Sequence, residues 1–321
     1  MKQALLDVRH LKTYFYMTSG VVRAVDDVSI EVRHREIVGL VGESGCGKTT
    51  LGLSITRLVP PPGKIVAGKI LLERVNLLDL TEREIMKIRG GEISMVFQDP
   101  MTFLNPVMNV GDQVVEAISL HQKGSKIEHK KKALEMLERV RISSAKEVMN
   151  YYPHQLSGGM RQRVLIAMAL SCNPSLVIAD EPTTAVDVTT QKQILNLMKE
   201  LTTEFEASWL IITHDLGVIA EICDKLYIMY AGKIVEHGEI FEVFDGPKHP
   251  YTKALLSSAL SIDEFKEELT VLDGVVPDLL NPPTGCRFHP RCHQRMQICS
   301  QQQPPSVEIT KQHRVSCWLY D

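Results

Sequence analysis

The sequence predicts an α/β protein built on a parallel sheet with helical crossovers. Three observations carry this. The runs IVGLV (37–41), ISMVF (93–97), LVIAD (176–180) and WLIIT (209–213) are short, apolar and bounded by glycine or polar residues, as buried strands are. Longer amphipathic stretches separate them, which is the spacing that crossovers between parallel strands require. The first run leads straight into a glycine-rich loop and then the helix-like TLGLSITRL (50–58).

The elements follow in order. LLDVRHLKTYFY (5–16), VRAVDDVSIEV (22–32) and GKILLERVNL (68–77) alternate apolar and polar residues, like antiparallel strands with one wet face. KIEHKKKALEMLERVR (126–141) reads as a helix with Ala133, Leu134, Leu137 and Val140 on one face and HKKK as a solvated one. Past residue 245 the chain becomes irregular and proline-rich, which puts a boundary near 245–250. With 44% hydrophobic and 23% charged residues, the 321-residue chain has enough apolar content for a sizeable core. A net charge of −3 carries no global basic bias, so no nucleic-acid partner is expected. No run approaches ~18 apolar residues, and MKQALLDVRHLK lacks the apolar segment of a signal peptide. A cytoplasmic protein is expected, and therefore reduced cysteines.

Three motifs carry chemistry. Gly42–Thr50, GESGCGKTT, fits the phosphate-loop pattern between a strand and a helix. Its glycines and backbone N–H groups suit phosphates, Lys48 would reach the β- and γ-phosphates, and Thr49 would ligate Mg²⁺. LVIADEP ends a buried strand in two carboxylates, Asp180 suited to Mg²⁺ and Glu181 to a water. LSGGMRQR places Ser157, Gly158 and Gly159 at a helix start, a second anion-binding terminus.

Together these residues resemble the ATPase subunit of ATP-binding cassette (ABC) transporters. The phosphate loop, FQDP with Gln98, LSGGM, LVIADEP, TTAVD with Asp187 and ITHD with His214 stand in that family's order. The resemblance implies an α/β P-loop NTPase core with an antiparallel β subdomain and a helical subdomain over about 99–160, within an ATPase domain 1–248. A small irregular extension, 249–321, carries four cysteines. It also implies ATP held between two cassettes, by Gly42, Ser44, Gly45, Cys46, Gly47, Lys48, Thr49 and Thr50 of one and Ser157–Gly159 of the other. By the same carry-over, Glu181 is the general base, Gln98 senses Mg²⁺ and the attacking water, and His214 contacts the γ-phosphate. Asp187 communicates across the dimer. Phe15, with Tyr14 and Tyr16 as alternatives, stacks on adenine. FQDPMTFLNPVMNVGDQ, YPHQLSGGMRQRVLIAMAL and HPYTKALLSSAL resemble the dipeptide, oligopeptide and nickel importer branch. Implied partners are a second ATPase subunit, identical or related, two transmembrane permease subunits and, indirectly, an extracytoplasmic solute-binding protein. That places the chain on the inner face of the membrane. A nickel importer, a soluble cassette ATPase and a non-catalytic regulatory cassette are the rival readings.

The tail spacing is C-x₅-C-x₆-C-x₁₇-C through Cys286, Cys292, Cys299 and Cys317. It lacks the C-x₂-C pairs of a zinc ribbon, but four thiolates suit an iron–sulfur cluster or Zn²⁺. The branch resemblance points to a [4Fe–4S] cluster, with Zn²⁺ as the alternative and a structural role. His289, His293 and His313 are expected at the surface, and the ATPase core is expected to stand without the tail. Cys46, at a helix N-terminus where thiolate is favoured, is expected to be alkylated faster than Cys172 and Cys223, with Mg-ATP protecting it.

Overall fold

The computed structural model describes residues 4–184, 186–260 and 274–321. Contacts divide the chain into two compact units. The first holds Met1–Leu5, Val32–Glu36 and Asp79–Ile211; the second holds Leu6–Glu31, Ile37–Leu78 and Ile212–Asp321. Residues 274–321 therefore fall in the unit that contains the phosphate loop.

In the second unit, every residue of the strand Ile37–Val41 is buried, as its unbroken apolar run requires of a parallel strand covered on both faces. It pairs in parallel with Lys225–Tyr230, which pairs antiparallel with Lys233–Glu239. Two short tail strands, Arg314–Val315 and Val307–Glu308, extend that edge, with Glu236 opposite Val315. A separate antiparallel sheet orders Gly20–Arg33, Ala4–Met17, Gly63–Leu72 and Val75–Asn76. Along Ala4–Met17 the buried phase changes from Leu6 and Val8 to Leu11 and Thr13. The cause is a register shift between Arg9 and Lys12, where His10 has a φ of 49°. The change puts Phe15 on the face of Leu11 and Thr13, and turns Tyr14 and Tyr16 to the other. The sequence shows one strand over 68–77, but Glu73 and Arg74 adopt φ 45° and 76° and make a tight hairpin there. No Asn-Gly or Asp-Gly pair announces it.

In the first unit, the parallel strands Ile93–Val96 and Leu176–Asp180 lie side by side, followed by Ser208–Thr213. The helices Val110–His121, Lys126–Arg139 and Gly158–Leu170 pack on one another. The middle one starts on a capping box: Ser125 accepts from Glu128 N–H, and the Glu128 carboxylate accepts from Ser125 N–H. Ala133, Leu137 and Val140 are buried as expected. Lys130 and Lys131 are solvated, but His129 is buried, so the HKKK face is not wholly wet.

Candidate nucleotide site

The phosphate loop joins Ile37–Val41 to the helix Lys48–Ile55. Gly47 has a φ of +107°, and a Cβ there would lie 2.0 Å from the carbonyl oxygen of Ala24, so only glycine fits. Lys48 is buried, and its Nζ donates to the carbonyls of Gly42 (2.7 Å) and Glu43 (3.2 Å). The ammonium thus fills the centre of its own loop, while Ser44, Gly45 and Thr49 are exposed and Thr50 is half-buried. Cys46 corrects the sequence expectation. It is fully buried, and burial pushes its thiol up despite the Lys48 ammonium 4.0 Å from its sulfur. The helix terminus does not make it a thiolate, because desolvation of the charged form outweighs it.

Thr13 and Ser54 share a buried 2.8 Å hydroxyl hydrogen bond, so the Leu11–Thr13–Phe15 face meets the helix that follows the loop. Phe15 is half-buried on that face. The Tyr14 hydroxyl donates to Asp26 at 2.7 Å, and burial with that carboxylate raises the phenol to about 12. Tyr16 is exposed, with the Lys64 Nζ 5.8 Å from its ring centre. His214 is exposed just past Ser208–Thr213, beside Asp215, whose carboxylate caps the helix Leu216–Ile222.

The first unit carries the remaining motifs. Asp180 ends its strand buried, and Glu181 follows at a φ of +50°. The Glu181 Oε2 accepts from the Thr184 hydroxyl at 2.9 Å. Gln98 is exposed between Phe97, stacked on Phe103, and Asp99, which caps Pro100–Phe103. Ser157 caps Gly158–Leu170, and Asp187 caps Val188–Phe205 with hydrogen bonds from Thr190 that lower its carboxyl. These two helix starts meet: a Cβ on Gly159 would lie 2.5 Å from the Thr190 methyl.

In the tail, Cys286, Cys299 and Cys317 are buried and Cys292 half-buried, and all are free thiols. Burial, then the charge of the neighbouring cysteines, pushes Cys286 up to about 11; Cys292 and Cys317 are raised by the same causes. Among the described residues no group of three His, Cys, Asp or Glu side chains is arranged to hold a metal ion. His313 is a second correction. It is buried, 2.7 Å from Glu236, because that buried carboxylate needs donors and already takes the N–H groups of Lys248 and His249.

Sequence reasoning missed the groups that join tail and loop. Arg291 donates to both Glu43 oxygens at 2.8 and 3.1 Å, and Tyr251 OH accepts from Glu43 N–H at 3.0 Å. Buried Arg287 binds Asp26 and the Ala231 carbonyl. Cys172 is expected from the sequence to react more slowly than Cys46. It lies past the end of Gly158–Leu170, half-exposed, lining a cavity of about 650 Å³ with Arg83, Lys87 and His121.

Residues 25–184 match the family model described as ABC transporter, and 235–299 match that of the oligopeptide/dipeptide transporter C-terminal region. The chain is 48% identical to a probable peptide ABC transporter ATP-binding protein of Sinorhizobium fredii, covering 98% of this chain and 94% of that one. It is 48% identical to the oligopeptide transport ATP-binding protein AppD of Bacillus subtilis (99% and 97% covered) and 48% to the dipeptide transport protein DppD of the same organism (99% and 96%). The dimeric ATP-binding cassette MJ0796 bound to ADP and Pi superposes with a TM-score of 0.66 at 29% identity, covering 73% of this chain and 98% of that one. The phosphate loop, the paired strand-end carboxylates and the matched tail have one explanation: the chain belongs to the ATP-binding cassette family, as an ATPase subunit of the branch that carries the oligopeptide/dipeptide transporter C-terminal region.

Proposed function

We propose that the chain hydrolyses ATP within a pair of cassettes to drive import of di- or oligopeptides, or a related small solute, through two permease subunits. The observation that carries this is a Lys48-centred phosphate loop in a chain whose C-terminal region matches that of oligopeptide and dipeptide transporters. A second ATPase subunit completes each site, and a solute-binding protein delivers cargo from outside. Among the described residues no helix is long and apolar enough to cross a membrane, so passage across it falls to the permeases.

In this reading Lys48 leaves the carbonyls of Gly42 and Glu43 for the β- and γ-phosphates, which the N–H groups of Gly42–Thr50 cradle. Thr49, Gln98 and Asp180 would hold Mg²⁺, each through oxygen, and the ion would supply positive charge to the phosphate oxygens. Glu181 takes a proton from water as the water oxygen bonds to the γ-phosphorus. The bond to the β–γ bridging oxygen breaks, and ADP leaves with that electron pair. His214 holds the γ-phosphate. Ser157, Gly158 and Gly159 of a second cassette close over it, and Asp187 links the two copies. Phe15 is the adenine platform, supported by the strand phase that sends it toward the loop's helix.

Cys286, Cys292, Cys299 and Cys317 would hold a [4Fe–4S] cluster in preference to Zn²⁺. Four free thiols within 32 residues, three of them buried, support this, since thiolate sulfur is the ligand such a cluster takes. The test is phosphate release from vesicles carrying the chain and its permeases. Solute-binding protein loaded with a tripeptide should raise the rate, and nickel-loaded protein should not. Stimulation by nickel alone selects the nickel importer. A chain that copurifies with no membrane protein is a soluble cassette ATPase.

A further inference from the structure

Glu43 is out of place in a loop that binds anions. A carboxylate in the second position of GESGCGKTT repels the phosphates that the loop exists to hold. The structure restrains it from three sides. Lys48 Nζ donates to its carbonyl at 3.2 Å, Tyr251 OH accepts from its N–H at 3.0 Å, and Arg291 donates to both carboxylate oxygens. The Lys48 bond is the one that ATP binding removes. What remains comes from outside the loop, from Tyr251 and from the tail.

Arg291 is built for this. Its side chain is 6% exposed and that of Glu43 26%, so the pair is largely desolvated. Its guanidinium carbon lies 5.8 Å from the ring centre of the buried Tyr230, whose hydroxyl it also meets at 3.3 Å. Its backbone is set by the turn His289–Arg291, where Arg291 N–H donates to the Phe288 carbonyl between Cys286 and Cys292. Two-bond recognition of a carboxylate belongs to the planar fork of arginine; a lysine ammonium cannot reproduce it.

We propose that Arg291 is a positioning residue for the phosphate loop: it neutralises Glu43 and holds it outward, so that the cysteine-bearing tail sets the affinity for ATP. This rests on the reading of Gly42–Thr50 as the ATP site. The test is titration of the full chain with Mg-ATP, with melting followed in parallel. Lys48→Ala is the control for the site itself; if it binds ATP like the parent, the reading of the loop fails, whatever Arg291 does. With the control behaving, Arg291→Ala should weaken ATP by about tenfold, equivalent to about 1.4 kcal/mol. Arg291→Lys should fall between, at about threefold. In a Glu43→Gln chain, which has no carboxylate to restrain, Arg291→Ala should cost about twofold or less. Parental affinity in Arg291→Ala overturns the proposal, and so does an equal loss in both backgrounds, which would mark general packing of the tail. Should Arg291→Ala not fold, Arg291→Lys decides alone: full parental affinity with a parental melting point contradicts the proposal.

Discussion

Cys46 and Cys172 exchange the reactivities that their sequence contexts suggest. A helix N-terminus favours thiolate, but the buried Cys46 sulfur is out of reach and its thiol is pushed up by desolvation. Cys172 is half-exposed at a cavity, so it should be alkylated before Cys46 when labelled peptides are followed by mass spectrometry. Its thiol is also raised, by burial, so the labelling rate should keep climbing above pH 9. Cys46 reacting first would contradict this placement. The contrast shows what is legible at this scale. Lys48, Asp180, Glu181 and His214 could be singled out as candidates because each lies inside a short motif whose spacing is local. Burial of Cys46 depends on residues far along the chain, and so does the Arg291–Glu43 pair, whose partners stand 248 positions apart. Nothing local in HPRC or GESG points from one to the other.

Strand runs and helix faces were legible because apolar periodicity is a local record of burial. LVIAD and IVGLV match their strands residue for residue. The register shift at His10 and the hairpin at Glu73–Arg74 were not, since both turn at positive-φ residues with no glycine, Asn-Gly or Asp-Gly to mark them. Where glycine does mark such a turn, the consequence is sharp. Gly47→Ala should weaken Mg-ATP by more than about tenfold, since a strained φ and a backbone clash together cost about 1–3 kcal/mol or more. Parental affinity on titration would show that the loop relaxes freely. The segment around Pro250–Leu260 carries a pH dependence. Burial pushes His249 from 6.5 down to about 4. Between those values the unfolded chain takes up a proton that the folded chain does not, so stability falls as pH drops through that window, at up to about 1.4 kcal/mol per pH unit. The melting temperature should therefore decline from pH 6.5 to pH 4, and less steeply in His249→Gln. Identical slopes for the two chains would assign the decline to other groups.

For the whole molecule, family and core fold were readable because six motifs keep a fixed order along the chain. The packing of the tail was not, because a shift in composition marks where sequence changes character and says nothing of what the new segment touches. Arg287 and Arg291 reach Asp26 and Glu43, and His313 reaches Glu236, so residues 286–317 share a unit with the phosphate loop. Anaerobically purified protein should be brown, with about four iron atoms per chain. Cys292→Ser should lose most of that iron, become protease-sensitive in the tail and, through Arg291, bind ATP more weakly. One zinc in colourless protein would keep the cross-link without the cluster, and four reactive thiols with no metal would remove both. The central claim, that the Lys48 loop binds ATP and Glu181 drives its hydrolysis, is tested most directly by measuring ATP affinity and phosphate release together in the parent, Lys48→Ala and Glu181→Gln chains. Lys48→Ala should lose binding. Glu181→Gln should keep it and lose at least about a hundredfold in turnover, the usual contribution of a general base. Glu181→Gln turning over at the parental rate, or Lys48→Ala binding ATP like the parent, would contradict the account.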